Sequence, residues 1–250
     1  MTGRKPGCFF IVGGQRCGTT YLCQVLDEHP AVCMAKPITP EPKFFLGKDF
    51  DKGLAYYEKT YFPEERDGVL WRGEKSTTYH ERETAAQRIR ASYPDALILF
   101  ILRHPTHRAI SNYFFSKNNA LETRTLEEVF LWKTPPPAVS AKVSTDPFDY
   151  LARGDYAKYL QIYLKHFKED QLIILTFESF ANDLAAIQRL YSRLDIDPAV
   201  VPSSLNRHVN ASNTTKGVSI EIVNVLNEYY RLKICELETL LRRRIREWER

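Results

Sequence analysis

The sequence predicts an α/β protein: one domain over residues 1–250, with a mostly parallel central sheet flanked by helices. Three observations carry this. Residues 8–12 and 96–102 are unbroken apolar runs, as expected of strands covered on both faces. Segments with apolar residues every three or four positions alternate with such runs along the chain. A turn containing Gly13, Gly14 and Gly18 joins the first strand to the first helical segment, a P-loop-like strand–loop–helix.

The elements follow in order. After the strand at 8–12, a helix begins near Thr20 and places Leu22, Val25 and Leu26 on one face. A short apolar piece at 31–34 enters a loop broken by Pro37, Pro40 and Pro42. A strand at 69–74 precedes a helix over 82–92, and 96–102 is the strongest buried strand. The next helix starts at Pro105, because proline suits the first helical position. Residues 133–148, with three consecutive prolines from Pro135, read as an irregular excursion. A helix over 155–167, a strand at 172–177 and a helix through Leu194 restore the alternation. A polar loop at 195–217 leads to a long last helix, where Ile220, Val223, Leu226, Tyr230, Ile234, Leu237, Leu241, Ile245 and Trp248 share one periodicity. No internal repeat or low-complexity tract interrupts this plan.

Composition narrows the function classes. The 250 residues are 44% hydrophobic and 26% charged, with a formal net charge of +4. That charge is too small and too dispersed for a nucleic-acid footprint. The densest basic run, 241–246, reads as the solvated face of the last helix. No stretch approaches the ~18 apolar residues of a membrane span, and the run at 8–12 is too short for a signal-peptide core. The five cysteines lack zinc spacing, and Cys8, Cys17, Cys23 and Cys33 fall on core elements. They read as small buried apolar side chains in a reducing, cytoplasmic-type compartment. The glycosylation sequons at Asn210 and Asn213 would matter only in a secretory one.

Three segments carry candidate chemistry. The first is the loop Gly13, Gly14, Gln15, Arg16, Cys17, Gly18, Thr19, Thr20. Glycines let backbone amides approach a phosphate, and the helix start adds a favourable dipole. The loop departs from G-x-x-x-x-G-K-[ST] because Thr19 stands where that motif has lysine, and Arg16 supplies the cation. The second is the end of the central strand, where Arg103 takes the place of a magnesium-holding aspartate. A guanidinium there needs an anion, either a ligand phosphate or a neighbouring carboxylate; Ser111 lies eight residues on, with Arg108 between. The third is Glu41, between Pro40 and Pro42, either a general base or a solvated loop residue.

Together these segments resemble the PAPS-dependent sulfotransferase superfamily (PAPS being 3'-phosphoadenosine 5'-phosphosulfate), nearest the heparan sulfate glucosaminyl sulfotransferases. Leu102 to Tyr113 is similar to the family's L-R-x-P-x-x-R-A-x-S-x-Y pattern, and Glu41 to Phe45 to its E-x-x-F-F context. The segment from Glu74 to Tyr79 resembles its E-K-[ST] segment, and Lys216 with Gly217 its cofactor-covering loop. The resemblance implies that Gly14, Gln15, Arg16, Cys17, Gly18, Thr19 and Thr20 hold the 5'-phosphosulfate. It implies that Arg103 and Ser111 recognise the 3'-phosphate, and that Lys216 and Gly217 cover the nucleotide. Glu41 would be the base, Arg16 and Lys75 would balance charge at the transferring group, and no metal would be required. The acceptor would be a hydroxyl or amine of a carbohydrate or other small molecule, and PAP the product. Two positions depart from the family: Arg16 replaces a lysine, and Lys43 a histidine. The C-terminal cysteine pair of Golgi members is absent, since only Cys235 lies there. His80 is the second candidate for the base, and His104 and His107 are expected to support the phosphate site. The alternatives are a P-loop kinase and a non-catalytic adenosine-bisphosphate-binding module.

Overall fold

The structure, a computed structural model, describes residues 5–63, 67–138, 146–205 and 217–249. Lys216 and the sequons at Asn210 and Asn213 lie outside these residues. The strands are β1 (Gly7–Gly13), β2 (Val32–Met34), β3 (Trp71–Lys75), β4 (Leu97–Leu102) and β5 (Leu172–Thr176). The helices are α1 (Thr19–Asp27), α2 (Gly53–Tyr61), α3 (Glu83–Ser92), α4 (Pro105–Asn118) and α5 (Leu126–Phe130). They continue with α6 (Tyr156–Leu164), α7 (Phe177–Phe180), α8 (Leu184–Arg193) and α9 (Ile220–Leu241). The chain groups into two compact units, Met1–Leu102 with Gln161–Val209, and Arg103–Leu160 with Asn210–Arg250.

The first unit holds the sheet, whose order is β2-β3-β1-β4-β5 with every pairing parallel. This is the α/β architecture expected from the sequence. Phe9, Phe10, Ile11 and Val12 of β1 and Ile98 to Leu102 of β4 are all but sealed from solvent, which explains why these strands are apolar throughout instead of alternating. The register between β1 and β4 runs Ile11 to Leu99 and then Gly13 to Phe100. The extra residue is a bulge, and it falls where the chain must turn out of the sheet. Tyr163 donates to the Tyr79 carbonyl at 2.9 Å, and Trp71 Nε1 to the Leu194 carbonyl at 2.7 Å.

Cys17, Cys23 and Cys33 are buried, in keeping with their reading as core side chains. Burial pushes the Cys8 and Cys23 thiols up to about 12, so neither is a nucleophile at neutral pH. Among the described residues no helix is long and apolar enough to cross a membrane.

The second unit packs Ala109, Ile110, Tyr113, Leu126, Phe130, Tyr150, Ile222, Leu226 and Tyr230 into one apolar cluster. Helix α4 begins at Pro105 as expected. Thr125 and Glu128 form a capping box that starts α5. Arg108 is fully buried and donates to the Tyr150 carbonyl.

Two expectations need correction. The helix assigned through Leu194 is two helices, since Asn182 takes φ 60° and the Asp183 carboxylate caps α8 by accepting from Ala186 N–H at 2.8 Å. The last helix ends at Leu241 rather than running to Trp248. Arg242 adopts φ 52°, and the Arg243 N–H returns to the Glu238 carbonyl at 3.2 Å. Ile245 and Trp248 are still buried, but from a reversed chain whose Ile245 N–H donates to the Glu238 carboxylate at 2.8 Å. Arg242, Arg243 and Arg244 are exposed as expected, although beyond the helix.

Two predictions follow from this packing. Gly18 has φ 89°, and a Cβ there would lie 2.4 Å from the Phe177 ring. Gly18→Ala should therefore cost about 1–3 kcal/mol, read as a lowered denaturant midpoint with an unchanged slope. An unchanged midpoint would show that the loop relaxes freely. In the second unit, His104 packs against the Trp248 ring at 5.9 Å. Burial, reinforced by His107, holds its pKa down at about 4. The unfolded chain therefore takes up this proton first, near pH 6.5. His104 contributes its full stability above about pH 6.5 and loses it as pH falls towards 4. His104→Gln should flatten that part of the stability–pH curve relative to the parent, and superimposable curves would refute the assignment.

Candidate active site

The carboxyl ends of β1 and β3 are neighbours because the strands pair with Ile11 opposite Lys75. The Ser76 N–H still reaches the Ile11 carbonyl at 3.1 Å. The glycine loop leaves β1 two residues later. Gly14 N–H donates to the Ile101 carbonyl at 2.7 Å and Cys17 N–H to the Gly14 carbonyl at 3.2 Å, which pins the loop to β4 and closes its turn. Arg16 sits at φ 68° and Gly18 at φ 89°. For a non-glycine residue the left-handed region costs roughly 1–2 kcal/mol, and such strain often marks a working loop.

Helix α1 starts directly after Gly18, which has no capping side chain to offer. The first N–H groups of the helix, at Thr19, Thr20 and Tyr21, therefore lack acceptors within it and carry the positive end of its dipole. The same turn carries the hydroxyls of Thr19 and Thr20 and, three residues before Thr19, the cationic Arg16. This donor set fits a phosphate or phosphosulfate group. His80 is buried beneath the loop, where a Cβ on Gly13 would lie 2.5 Å from its Cβ, so the structure gives it a packing place in the core.

Glu41 is not a solvated loop residue. Its side chain is 15% exposed and that of Lys75 only 7%, and the Lys75 ammonium donates to Oε1 at 3.0 Å. Thr77 N–H donates to Oε2 at 3.0 Å, and the Thr77 hydroxyl lies 3.0 and 3.1 Å from the two oxygens. Charge-assisted bonds to a shielded carboxylate orient it far better than an exposed ion pair would. Three hydrogens are thus given to a carboxylate with about four lone-pair sites. One site remains open.

Behind this pair lies Glu74, 1% exposed. Ser76 Oγ donates to its Oε1 at 2.6 Å and the Tyr57 hydroxyl to its Oε2 at 2.7 Å. Burial raises its pKa above the usual carboxylate value, against the pull of these donors.

The first unit therefore brings together Glu41, Lys75 and, by strand register, the loop from Gly14 to Thr20. Arg103, Ser111 and Gly217 belong to the second unit. Arg103 follows β4 directly, is half-buried, and its carbonyl accepts from the Tyr156 hydroxyl at 2.8 Å. Ser111 is buried on α4. Gly217 is exposed at φ 88°. Thr77, Ser76 and Tyr57 were not singled out from sequence. Thr77 and Ser76 sit in the segment chosen for Lys75, but a threonine or serine beside a lysine is too common to signal.

A family model described as Sulfotransferase domain matches residues 6–232. Heparan sulfate glucosamine 3-O-sulfotransferase 3B1 of Homo sapiens is 30% identical over 175 residues, covering 70% of this chain and 42% of that protein. Bifunctional heparan sulfate N-deacetylase/N-sulfotransferase 2 of Bos taurus is 29% identical over 198 residues, covering 76% of this chain and 22% of that protein. The chain thus spans less than half the length of these curated relatives. A sulfotransferase from Alicyclobacillus acidocaldarius superposes with a TM-score of 0.77 at 25% identity, over 99% of this chain and 100% of the other. The mouse sulfotransferase SULT7A1, solved in complex with PAP, shares the fold at a TM-score of 0.53 and 14% identity, over 94% and 89% of the two chains. With a family match across nearly its whole length, the chain belongs to the sulfotransferase family.

Proposed function

We propose that residues 1–250 act as one sulfotransferase domain that moves the sulfonyl group of PAPS to a hydroxyl or amine of a carbohydrate, with Glu41 as the general base. The observation that carries this is the Glu41 carboxylate, fixed by Lys75 and Thr77 at the edge of the sheet that also launches the glycine loop. The sugar acceptor is supported by the 3-O- and N-sulfotransferases among the relatives. Their chemistries differ in the attacking atom, so both hydroxyl and amine stay within the reading. A reducing, cytoplasmic-type setting belongs to the same reading, supported by the burial of Cys17, Cys23 and Cys33 in the core.

When bound, PAPS supplies the sulfonyl group and a phosphate leaving group. Glu41 takes the acceptor's proton on its open lone-pair site as the acceptor atom bonds to sulfur. The bond from sulfur to the 5'-phosphate oxygen breaks in line, and PAP departs. Lys75 has three N–H bonds and commits one to Glu41, which leaves two to meet charge on the sulfonyl and phosphate oxygens. Arg16 adds a second cation from the loop. The amides and hydroxyls at Thr19 and Thr20 hold the 5'-phosphate. Arg103 and Ser111 recognise the 3'-phosphate, supported by their place in the L-R-x-P-x-x-R-A-x-S-x-Y pattern, and Lys216 with Gly217 covers the nucleotide. Positioning and charge balance carry most of such a group transfer.

Two experiments test the assignment. Glu41→Gln should lower kcat by roughly 10²–10⁴-fold with PAP affinity nearly unchanged, and Arg16→Ala and Lys75→Ala by about 10²–10³-fold. Near-full activity of Glu41→Gln removes it as the base. In thermal unfolding, PAP at 100 times its Kd should stabilise the protein by about 2.7 kcal/mol. Adenosine 5'-monophosphate at equal concentration should do less, and Arg103→Ala should erase the difference. A preference for ATP with magnesium over PAP would favour the kinase alternative.

A further inference from the structure

Glu41 is followed by a segment that the fold holds under constraint. Lys43 adopts φ 51°, a left-handed conformation that lysine disfavours, and its carbonyl accepts from Leu46 and Gly47 at 3.0 and 2.9 Å. Phe44 and Phe45 are buried, with Phe44 4.6 Å from the Tyr57 ring. A strained turn two residues from a base needs something outside itself to hold it.

The holding contacts converge on one buried group. Lys43 N–H donates to Ser76 Oγ at 3.0 Å, and Ser76 Oγ–H donates onward to Glu74 at 2.6 Å. Phe45 N–H donates to the Tyr79 hydroxyl at 3.0 Å, and burial together with the Glu74 charge keeps the proton on that hydroxyl by raising its pKa well above the ordinary value. The Tyr57 hydroxyl, beneath Phe44, gives its proton to the same carboxylate at 2.7 Å. A carboxylate only accepts. It therefore draws the hydroxyl protons of Ser76, Tyr79 and Tyr57 inward, and leaves the oxygen lone pairs of Ser76 and Tyr79 facing out towards the loop amides. An apolar side chain of the same size would fill the space without setting that polarity.

We propose that Glu74 is a positioning residue: by orienting the Ser76 and Tyr79 hydroxyls as acceptors for the Lys43 and Phe45 amides, it fixes the loop that presents Glu41. Its catalytic consequence rests on the reading of Glu41 as the base, while the anchoring itself does not. Burying a carboxylate at this depth is costly, and the hydroxyl donors of Ser76 and Tyr57 offset part of that cost, the first of them also gripping the loop. The neighbouring Lys75 side chain then reaches Glu41 from the other side, so residues 74 and 75 hold the loop's backbone and its carboxylate respectively.

The test uses the full chain with Glu74→Leu, Glu74→Gln, Ser76→Ala and the Glu74→Leu/Ser76→Ala double variant. Residue-resolved amide exchange should quicken at least tenfold at both Lys43 and Phe45 in Glu74→Leu, and at Lys43 but not Phe45 in Ser76→Ala. With PAPS and a desulfated heparan oligosaccharide, kcat should fall roughly ten- to a hundredfold in Glu74→Leu and Ser76→Ala, with PAP affinity retained. Glu74→Gln, which keeps one acceptor oxygen, should recover part of that loss, and the double variant should be no worse than Glu74→Leu alone. Parental exchange at Lys43 in folded Ser76→Ala, or at both amides in folded Glu74→Leu, overturns the proposal; so does a loss confined to PAP affinity. If Glu74→Leu does not fold, Ser76→Ala decides the Lys43 link by itself. Quickened exchange combined with a fully active Glu41→Gln would leave the anchoring standing and remove only the base.

Discussion

Everything at the candidate site depends on the parallel pairing of β1 with β3. Ile11 opposite Lys75 sets where each strand stops, and so where the glycine loop and the Lys75 ammonium emerge. In a sheet the side chains alternate between faces, so a slip of one residue would turn Lys75 towards the opposite face. Both strands are buried at their carboxyl ends, which makes the register expensive to change. Ligand sites of open parallel sheets form beyond the carboxyl ends of strands for this kind of reason. Here two neighbouring strands, distant in sequence, bring the glycine loop and the Lys75 ammonium to the same end of the sheet.

Buried polar groups in this protein are placed where they fix backbone. Glu122 is 3% exposed, and Arg124 answers it through Nε at 2.9 Å and Nη2 at 2.6 Å, with the Tyr150 hydroxyl at 2.8 Å. The Arg124 cation and these donors hold the Glu122 carboxyl below the usual carboxylate value, although burial opposes them. Arg108 spends a donor on the Tyr150 carbonyl. Glu74 differs from Glu122 in having only hydroxyl donors, and its affinity for a proton moves the opposite way. Removing one member of such a network leaves the others unsatisfied, which is why these side chains resist single replacement.

Much of this was legible in the sequence because it follows from local rules. The runs at 8–12 and 96–102 announce buried strands through hydrophobicity alone, Pro105 announces the start of α4, and the glycines announce the loop. What stayed hidden needed long-range contacts. Glu41 between two prolines gives no local sign that β3 will deliver Lys75 and Thr77 to it. The roles of Ser76, Tyr57 and Tyr79 depend on a carboxylate that reads, locally, as one more charged residue. The end of α9 was missed because Arg242 closes it where a glycine would have been the signal, and Ile245 and Trp248 keep the helical spacing by coincidence.

The aromatic ring pressed under position 18 makes the glycine loop and the start of α7 a matched pair in size. A bulkier residue at 18 has room only if position 177 becomes smaller, so natural or engineered variation at the two sites should be correlated. The same fit means that the glycine loop receives its shape partly from the start of α7. Efforts to reshape this loop would do well to begin at Phe177, which packs against Gly18 without belonging to the loop.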